Sequence, residues 1–252
     1  MLTNLPGWPS PGSGSAQAAG PLTRRVFIPI ASLERQCPTG PGRAYNQLSV
    51  SSPPTDRPAE VHADINLTLR GYVSNQSHAG LINAGVDADP KAPQLPGLFG
   101  DYRLPAFRTV YQVHDWDWST NSRGSLLAHW SVSLAGFGVQ PNEPIFLPPS
   151  GYDIGQGFQA LVLYATRERI TIKYTREDNV IWGYTLHVEN LCVDPGLVSL
   201  YQTLNAQGRG NLPALRAGEP IGRAMTNELG VAIRDTGTFM DPRWRQDWWH
   251  GY

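Results

Sequence analysis

Four segments in the second half of the chain carry the densest run of β-branched and aromatic residues: FQALVLYA (158–165), RITIKYT (169–175), VIWGYTLHVENL (180–191) and ELGVAIRD (228–235). Each is strand-like in length and make-up and is bounded by charged or glycine-containing turns. The 26 Gly and 22 Pro of the 252 residues interrupt the rest so often that no long helical pattern survives. The chain is therefore predicted to be mainly β, with many turns. One helix is expected, in DPGLVSLYQTLNAQG (194–208). Asp194 suits the N-cap, Pro195 the first helical position and Gly208 the stop, while Leu197, Leu200, Tyr201 and Leu204 keep helical spacing.

The first half reads less regularly. VHADINLTLRGYV (61–73) alternates, which predicts a half-buried strand with His62, Asp64, Asn66, Thr68 and Arg70 facing water. TRRVFIPIASL (23–33) fits an edge strand, and FRTVYQVHDWDWS and LAHWSVSLAGFGV fit two more. Residues 37–59 and 74–105 are loop-like, and the second stretch is long enough to predict a functional or mobile loop. The Pro-rich break QPNEPIFLPPSG (140–151) marks a boundary. Three parts follow: a Pro/Gly/Ser-rich tail over 1–22, an N-terminal β domain of unassigned type over 23–145, and a second β domain over 146–252.

Charge excludes some functions. Twenty Lys and Arg against 21 Asp and Glu leave a net charge of −1, so nothing steers the protein to nucleic acid or to an anionic membrane. No apolar run is long enough to span a bilayer. The opening MLTNLPGWPSPGSGSAQAAG has neither the positive nor the apolar region of a signal peptide and reads as a linker. Such a start is expected of a mature or truncated form of a longer exported chain. Cys37 and Cys192 allow one disulfide or two unpaired thiols.

Several motifs of the second half, in order, resemble those of the LytM or lysostaphin-type zinc peptidases, the M23 family. They are GYDIG (151–155), ALVLYATRERITIKYT (160–175), WGYTLHVEN (182–190) with VSLYQTL (198–204), LRAGEPIGRA (215–224) and ELGVAIRDTGTFMDP (228–242). The resemblance implies a LytM-like antiparallel β domain with one short helix, and an activity that cuts cell-wall peptides with zinc. It also shows departures. Asp153 matches the ligand aspartate, but Pro149 and Gly230 stand where the family has its two zinc-binding histidines. Thr203 and Glu228 replace the remaining two catalytic histidines. One ligand of three does not hold a catalytic zinc. The implied protein is thus a non-catalytic binding or regulatory module at the cell envelope, outside the cytoplasm and without a cofactor. Its partner would be peptidoglycan, another glycan or an envelope protein, in a groove near Asp153, Tyr201, Thr203, Glu228 and Arg234.

The alternative is an active cell-wall hydrolase. His187, on one strand face with Thr185 and Glu189, would then supply a displaced zinc ligand, or Asp153 and Glu228 would act as a metal-free acid/base pair. His114, in HDWDW, faces away from Asp115 on a strand and is a poorer ligand candidate. The eight Trp are expected either in packing or on a sugar-stacking surface. Trp244, Trp248 and Trp249 in RWRQDWW suit a clasp between the two halves, with Arg243 and Arg245 as surface partners of Asp247.

Overall fold

The expected strands of the second half pair edge to edge. In the computed structural model, residues 37–83 and 88–252 are described, all within one unit bounded by Arg35 and Tyr252. The tail and TRRVFIPIASL lie outside the described residues. Along the chain come β1 (Asn46–Ser49), α1 (Leu67–Arg70), β2 (Tyr72–Ser74), β3 (Phe107–Asp117), β4 (Ser122–Leu126), β5 (Leu134–Gly138) and β6 (Pro144–Phe146). Then follow β7 (Ala160–Ala165), β8 (Arg169–Lys173), β9 (Tyr184–Glu189), β10 (Leu191–Val193), α2 (Pro195–Ala206), β11 (Asn211–Leu215), β12 (Pro220–Ala224), β13 (Glu228–Asp235), β14 (Thr238–Met240) and α3 (Arg245–Trp248).

The main sheet runs β1-β11-β7-β8-β9-β13-β5-β3-β2, with β14 added to β13 and β4 to β3. A second sheet runs β10-β12-β6, and the strand pairs in both are antiparallel. β5 lies between β13 and β3, so strands from either side of the expected 145/146 boundary are hydrogen-bonded neighbours. The Pro-rich stretch at that point contributes β6 to the small sheet, and Ile145 and Leu147 are fully buried.

One face of the main sheet is the core. Ile170, Ile172, Leu186, Val188, Leu229, Val231 and Ile233 all point there and are essentially inaccessible. The C-terminal aromatics close it. Trp249 packs on Phe107 and Phe137 (5.9 and 5.3 Å), and Trp248 on Tyr184 (5.5 Å). Their indole N–H groups donate to the Pro242 and Asp241 carbonyls. This satisfies the only polar atom each ring brings inside. The segment does act as a clasp on strands from both halves, but Arg243 is buried against Asp241 rather than paired on the surface. The helix forms as expected, with the Asp194 side chain accepting from Gly196 N.

Two expectations fail. Residues 61–73 do not form a half-buried strand. A 3-10 turn (Ala59–Val61), the short α1 and then β2 take their place. Asn66 caps α1 by accepting from Thr68 N, and Arg70 folds back to donate to the Ala63 carbonyl. Alternation was the wrong template because Asp64 and Arg70 turn inward to a shared charge cluster. The stretch 74–105, where described, is not a detached loop: Leu95, Leu98 and Phe99 are fully buried in the core.

Cys37 and Cys192 are joined, which ties the start of the described chain to β10. Arg43 N donates to the Asp194 carboxylate nearby. Among the described residues no helix is long and apolar enough to cross a membrane. Removing the bridge by Cys37→Ala/Cys192→Ala should lower unfolding free energy by about 2–5 kcal/mol, read as a lower urea midpoint. An unchanged midpoint would show the tie to be energetically idle.

Candidate functional site

The other face of the main sheet is polar. It presents Arg169, Thr171 and Lys173 from β8, Thr185, His187 and Glu189 from β9, and Glu228, Gly230, Ala232 and Arg234 from β13. The register sets these in rows. Thr171, His187 and Ala232 share one; Lys173, Thr185 and Arg234 share the next; Arg169, Glu189 and Gly230 share the row on the other side. Residues 59–71 lie over the first two rows.

Asp64 holds that cover down. Its Oδ1 accepts from Arg70 (2.6 Å) and from Arg234 (2.9 Å), both of which are almost fully buried. Burial pushes the Asp64 carboxyl up, but the two guanidinium groups outweigh it and hold it below its ordinary value. Burial likewise brings Arg234 down to about 10, which leaves it charged at neutral pH. The Phe239 ring lies under both arginines (5.5 and 4.5 Å) and stacks on His187.

The tautomer of His187 follows from its neighbour. Thr171 Oγ1 gives its single hydrogen to the Ile65 carbonyl (2.6 Å), so toward His187 Nδ1 (3.0 Å) it accepts. Nδ1 therefore carries the proton, and Nε2 is a bare lone pair without a hydrogen-bond partner. Burial, reinforced by Arg234, pushes the His187 pKa down to about 3. His187 is thus neither on a solvated face nor charged.

Beyond the cover the face continues as a glycine trough that two glutamates fill: Gly230 lies opposite Glu189 and Gly136 of β5 opposite Gly230, with Glu228 half-buried and the other three buried. Glu189 is held by Arg169 (3.0 Å), and burial, opposed by that arginine, raises its pKa. Glu228 accepts from Tyr111 OH (2.6 Å) and Thr109 Oγ1 (2.8 Å). A Cβ on Gly136 would meet the Glu228 Cδ at 2.4 Å, so the carboxylate rests where a side chain would otherwise stand. Tyr72 packs edge-on against Tyr111 (5.2 Å), and burial, then the charge of Glu189, pushes its phenol up to about 12. The two glutamates are diagonal neighbours on paired strands, since Glu189 pairs with Gly230 and Glu228 lies two residues along β13.

Of the expected groove residues, only Glu228 lines this trough. Arg234 shares the face but lies under the cover. Tyr201 is buried on α2 against Tyr164 and Arg209, and Thr203 is exposed there, its hydroxyl turned back to the Ser199 carbonyl. Asp153 is exposed and accepts from Gly155 N, capping a turn. Its neighbour Tyr152 packs on Tyr184, whose register partner is Asp235. That is seven residues from Glu228 along β13, about 23 Å at strand rise. Asp153 and Glu228 are therefore not a pair. His114 Nδ1 lies against the Gly124 carbonyl. Among the described residues no three of His, Cys, Asp and Glu converge on a metal-sized space.

Glu189, Arg169, Tyr72, Tyr111, Thr109 and Gly136 were not singled out from the sequence, nor was the role of Asp64. The alternation of R-x-T-x-K and T-x-H-x-E in consecutive strands was their signal, since two polar strand faces side by side make a polar surface. Asp64→Asn should cost about 3–5 kcal/mol by leaving two buried guanidinium groups without a counter-charge; a loss under 1 kcal/mol in chemical unfolding would contradict that role. His187 is uncharged in the fold and ordinarily basic near 6.5 when unfolded. Its contribution to stability is complete above that pH and is lost as pH falls toward 3. The slope of stability against pH between those values should be shallower in His187→Asn, which keeps the donor to Thr171. Compared with known protein-family models, curated proteins and solved structures, the chain shows no match.

Proposed function

We propose that this protein is a non-catalytic binding module of the cell envelope that takes a glycan, peptidoglycan above all, in the trough between Glu189 and Glu228. The observation that carries it is the seating of the Glu228 carboxylate on Gly136 under two hydroxyl donors. A polar group fixed in that way is oriented before any ligand arrives, which lowers the entropy lost on binding. Carboxylates and Arg169 suit the hydroxyl and amide groups of a glycan, and the Tyr72 and Tyr111 rings its apolar faces. The Cys37–Cys192 bridge supports an oxidising compartment, outside the cytoplasm.

A hydrolytic role has an observation of its own. Glu189 is raised by burial, and Glu228 accepts two hydrogen bonds one diagonal away across the β9–β13 pair, so one carboxyl is disposed to give a proton and the other to take one. Glu189 would give its proton to the leaving oxygen, while Glu228 takes one from the attacking water.

Co-sedimentation with insoluble peptidoglycan, and with chitin for comparison, separates these roles. Retention on peptidoglycan is expected, with affinity cut about ten-fold or more by Tyr72→Ala, Glu228→Gln and Gly136→Ala. Release of soluble fragments that stops in Glu189→Gln would replace binding by hydrolysis. No retention on either polymer would overturn both.

A further inference from the structure

Of the seven large apolar side chains left exposed among the described residues, Trp118 and Ile181 line one crevice, and Val61 and Trp182 adjoin its lining in the chain. The crevice holds about 520 Å³, within the roughly 300–1,000 Å³ of small-ligand clefts. Four stretches of chain build it: residues 52–57, the turn at His62 and Asp64, the β3–β4 turn at Trp118, and the β8–β9 turn at Asp178, Asn179 and Ile181. Exposed apolar residues scattered singly need no account, but a group of them on a concave wall marks a binding surface. Trp118 is 43% exposed and Ile181 55%, and Pro53 and Pro54 extend the apolar wall.

The polar groups of the crevice are fixed before anything binds. Asp64 N donates to His62 Nδ1 (3.2 Å), so that nitrogen carries no proton and His62 is the neutral Nε2–H tautomer. Burial lowers its pKa in the same sense. Its Nε2 faces the Asp56 carboxylate at 3.4 Å, and Arg57 donates to both oxygens of that carboxylate (3.2 and 3.0 Å). The same guanidinium lies 4.8 Å over the Trp118 ring, and the His62 ring meets Trp118 edge-on at 5.4 Å. A carboxylate, a guanidinium and an indole are thus locked together on one wall, with the Asp56 side chain still 66% exposed. On another, Asn179 turns its carbonyl to Ile181 N, which leaves its amide hydrogens to donate elsewhere.

The charges decide the class of ligand. Asp56, Asp64 and Asp178 all line the crevice and repel an anion. Each already has its own arginine (Arg57 on Asp56, Arg70 and Arg234 on Asp64, Arg209 on Asp178), so none calls for a cation. A wholly apolar ligand would strip water from Asp56 and Arg57 and give nothing back. We infer that the crevice binds a neutral pyranose sugar, its ring against the exposed part of Trp118 and its hydroxyls on Asp56, Arg57 and Asn179. Such a ring offers an apolar C–H face to the indole, and its hydroxyls donate to the carboxylate while they accept from the guanidinium and the amide. None of the trough residues lines this crevice, so the inference stands whether or not the trough takes a glycan.

The test is titration calorimetry of the full chain with glucose, galactose, N-acetylglucosamine and cellobiose, with acetate, ethylammonium and cyclohexanol as anionic, cationic and apolar probes. Saturable binding of at least one sugar is expected, with the three probes at least about ten-fold weaker. Trp118→Ala and Asp56→Asn should each weaken that sugar about ten-fold or more. Asp56→Asn keeps the shape of an exposed side chain, so it decides the matter if Trp118→Ala lowers the unfolding midpoint. Undiminished affinity in Asp56→Asn, or in a stable Trp118→Ala, would put the sugar elsewhere and overturn the inference. So would equal binding of any of the three probes, or no saturable binding of the four sugars to the wild type.

Discussion

Asp64 is the counter-charge of two buried arginines that come from different parts of the chain. Arg70 belongs to the covering segment and Arg234 to the central strand β13, and a single carboxylate oxygen accepts from both. None of the three tolerates the loss of the others, because a guanidinium buried alone is far costlier than one left in water. The cluster therefore fixes where residues 59–71 lie. Once they lie there, Ile65 O meets Thr171, Thr171 sets the proton of His187, and Phe239 is trapped between the arginines and the imidazole. The edge of this cover is also the edge of the trough.

A polar sheet face is ordinarily solvated, and an antiparallel sheet with one wet face needs no further explanation. Here the covering segment is short and itself irregular, so it brings main-chain carbonyls and a few side chains rather than an apolar layer. The face answers with donors, Thr171 to Ile65 O and Arg234 to Asp64 O, and Arg70 of the cover donates to Ala63 O and His114 O. Where the pairing is complete the interface is structural. Where it stops, at Lys173, Thr185 and His187 Nε2, the same face has unmatched capacity.

Local pattern carried the second half well. The apolar faces of β7, β8, β9 and β13 and the cap of α2 were legible because each depends on residues close in sequence. The 61–73 segment was misread for a physical reason. Alternation says which residues share a side, but not whether charges on the polar side find partners inside, and Asp64 finds Arg234 170 residues away. Glu228 was expected to face Asp153 across a groove, but the register keeps the two apart. Asp153 caps a turn ahead of β7, near the far end of β13 from Glu228. Glu189 became the neighbour of Glu228 through the β9–β13 register, which no local pattern encodes.

The glycines connect the trough to the rest of the fold. Gly230 and Gly136 are adjacent across the β13–β5 ladder, and each faces a carboxylate rather than a side chain of its own. Two central strands thus give up packing at neighbouring positions, which weakens a sheet interior unless something else needs the room. On the covered rows the same strands place Ala232 and Leu134, which pack against Leu67, Val113 and Phe239. Small residues are therefore not a general habit of this face. They occur where Glu189 and Glu228 occupy the space, and those two carboxylates bring Arg169, Tyr111 and Thr109 with them. The Glu189–Glu228 end of the face is built around acidic groups held still, in the same way that its covered end is built around Asp64.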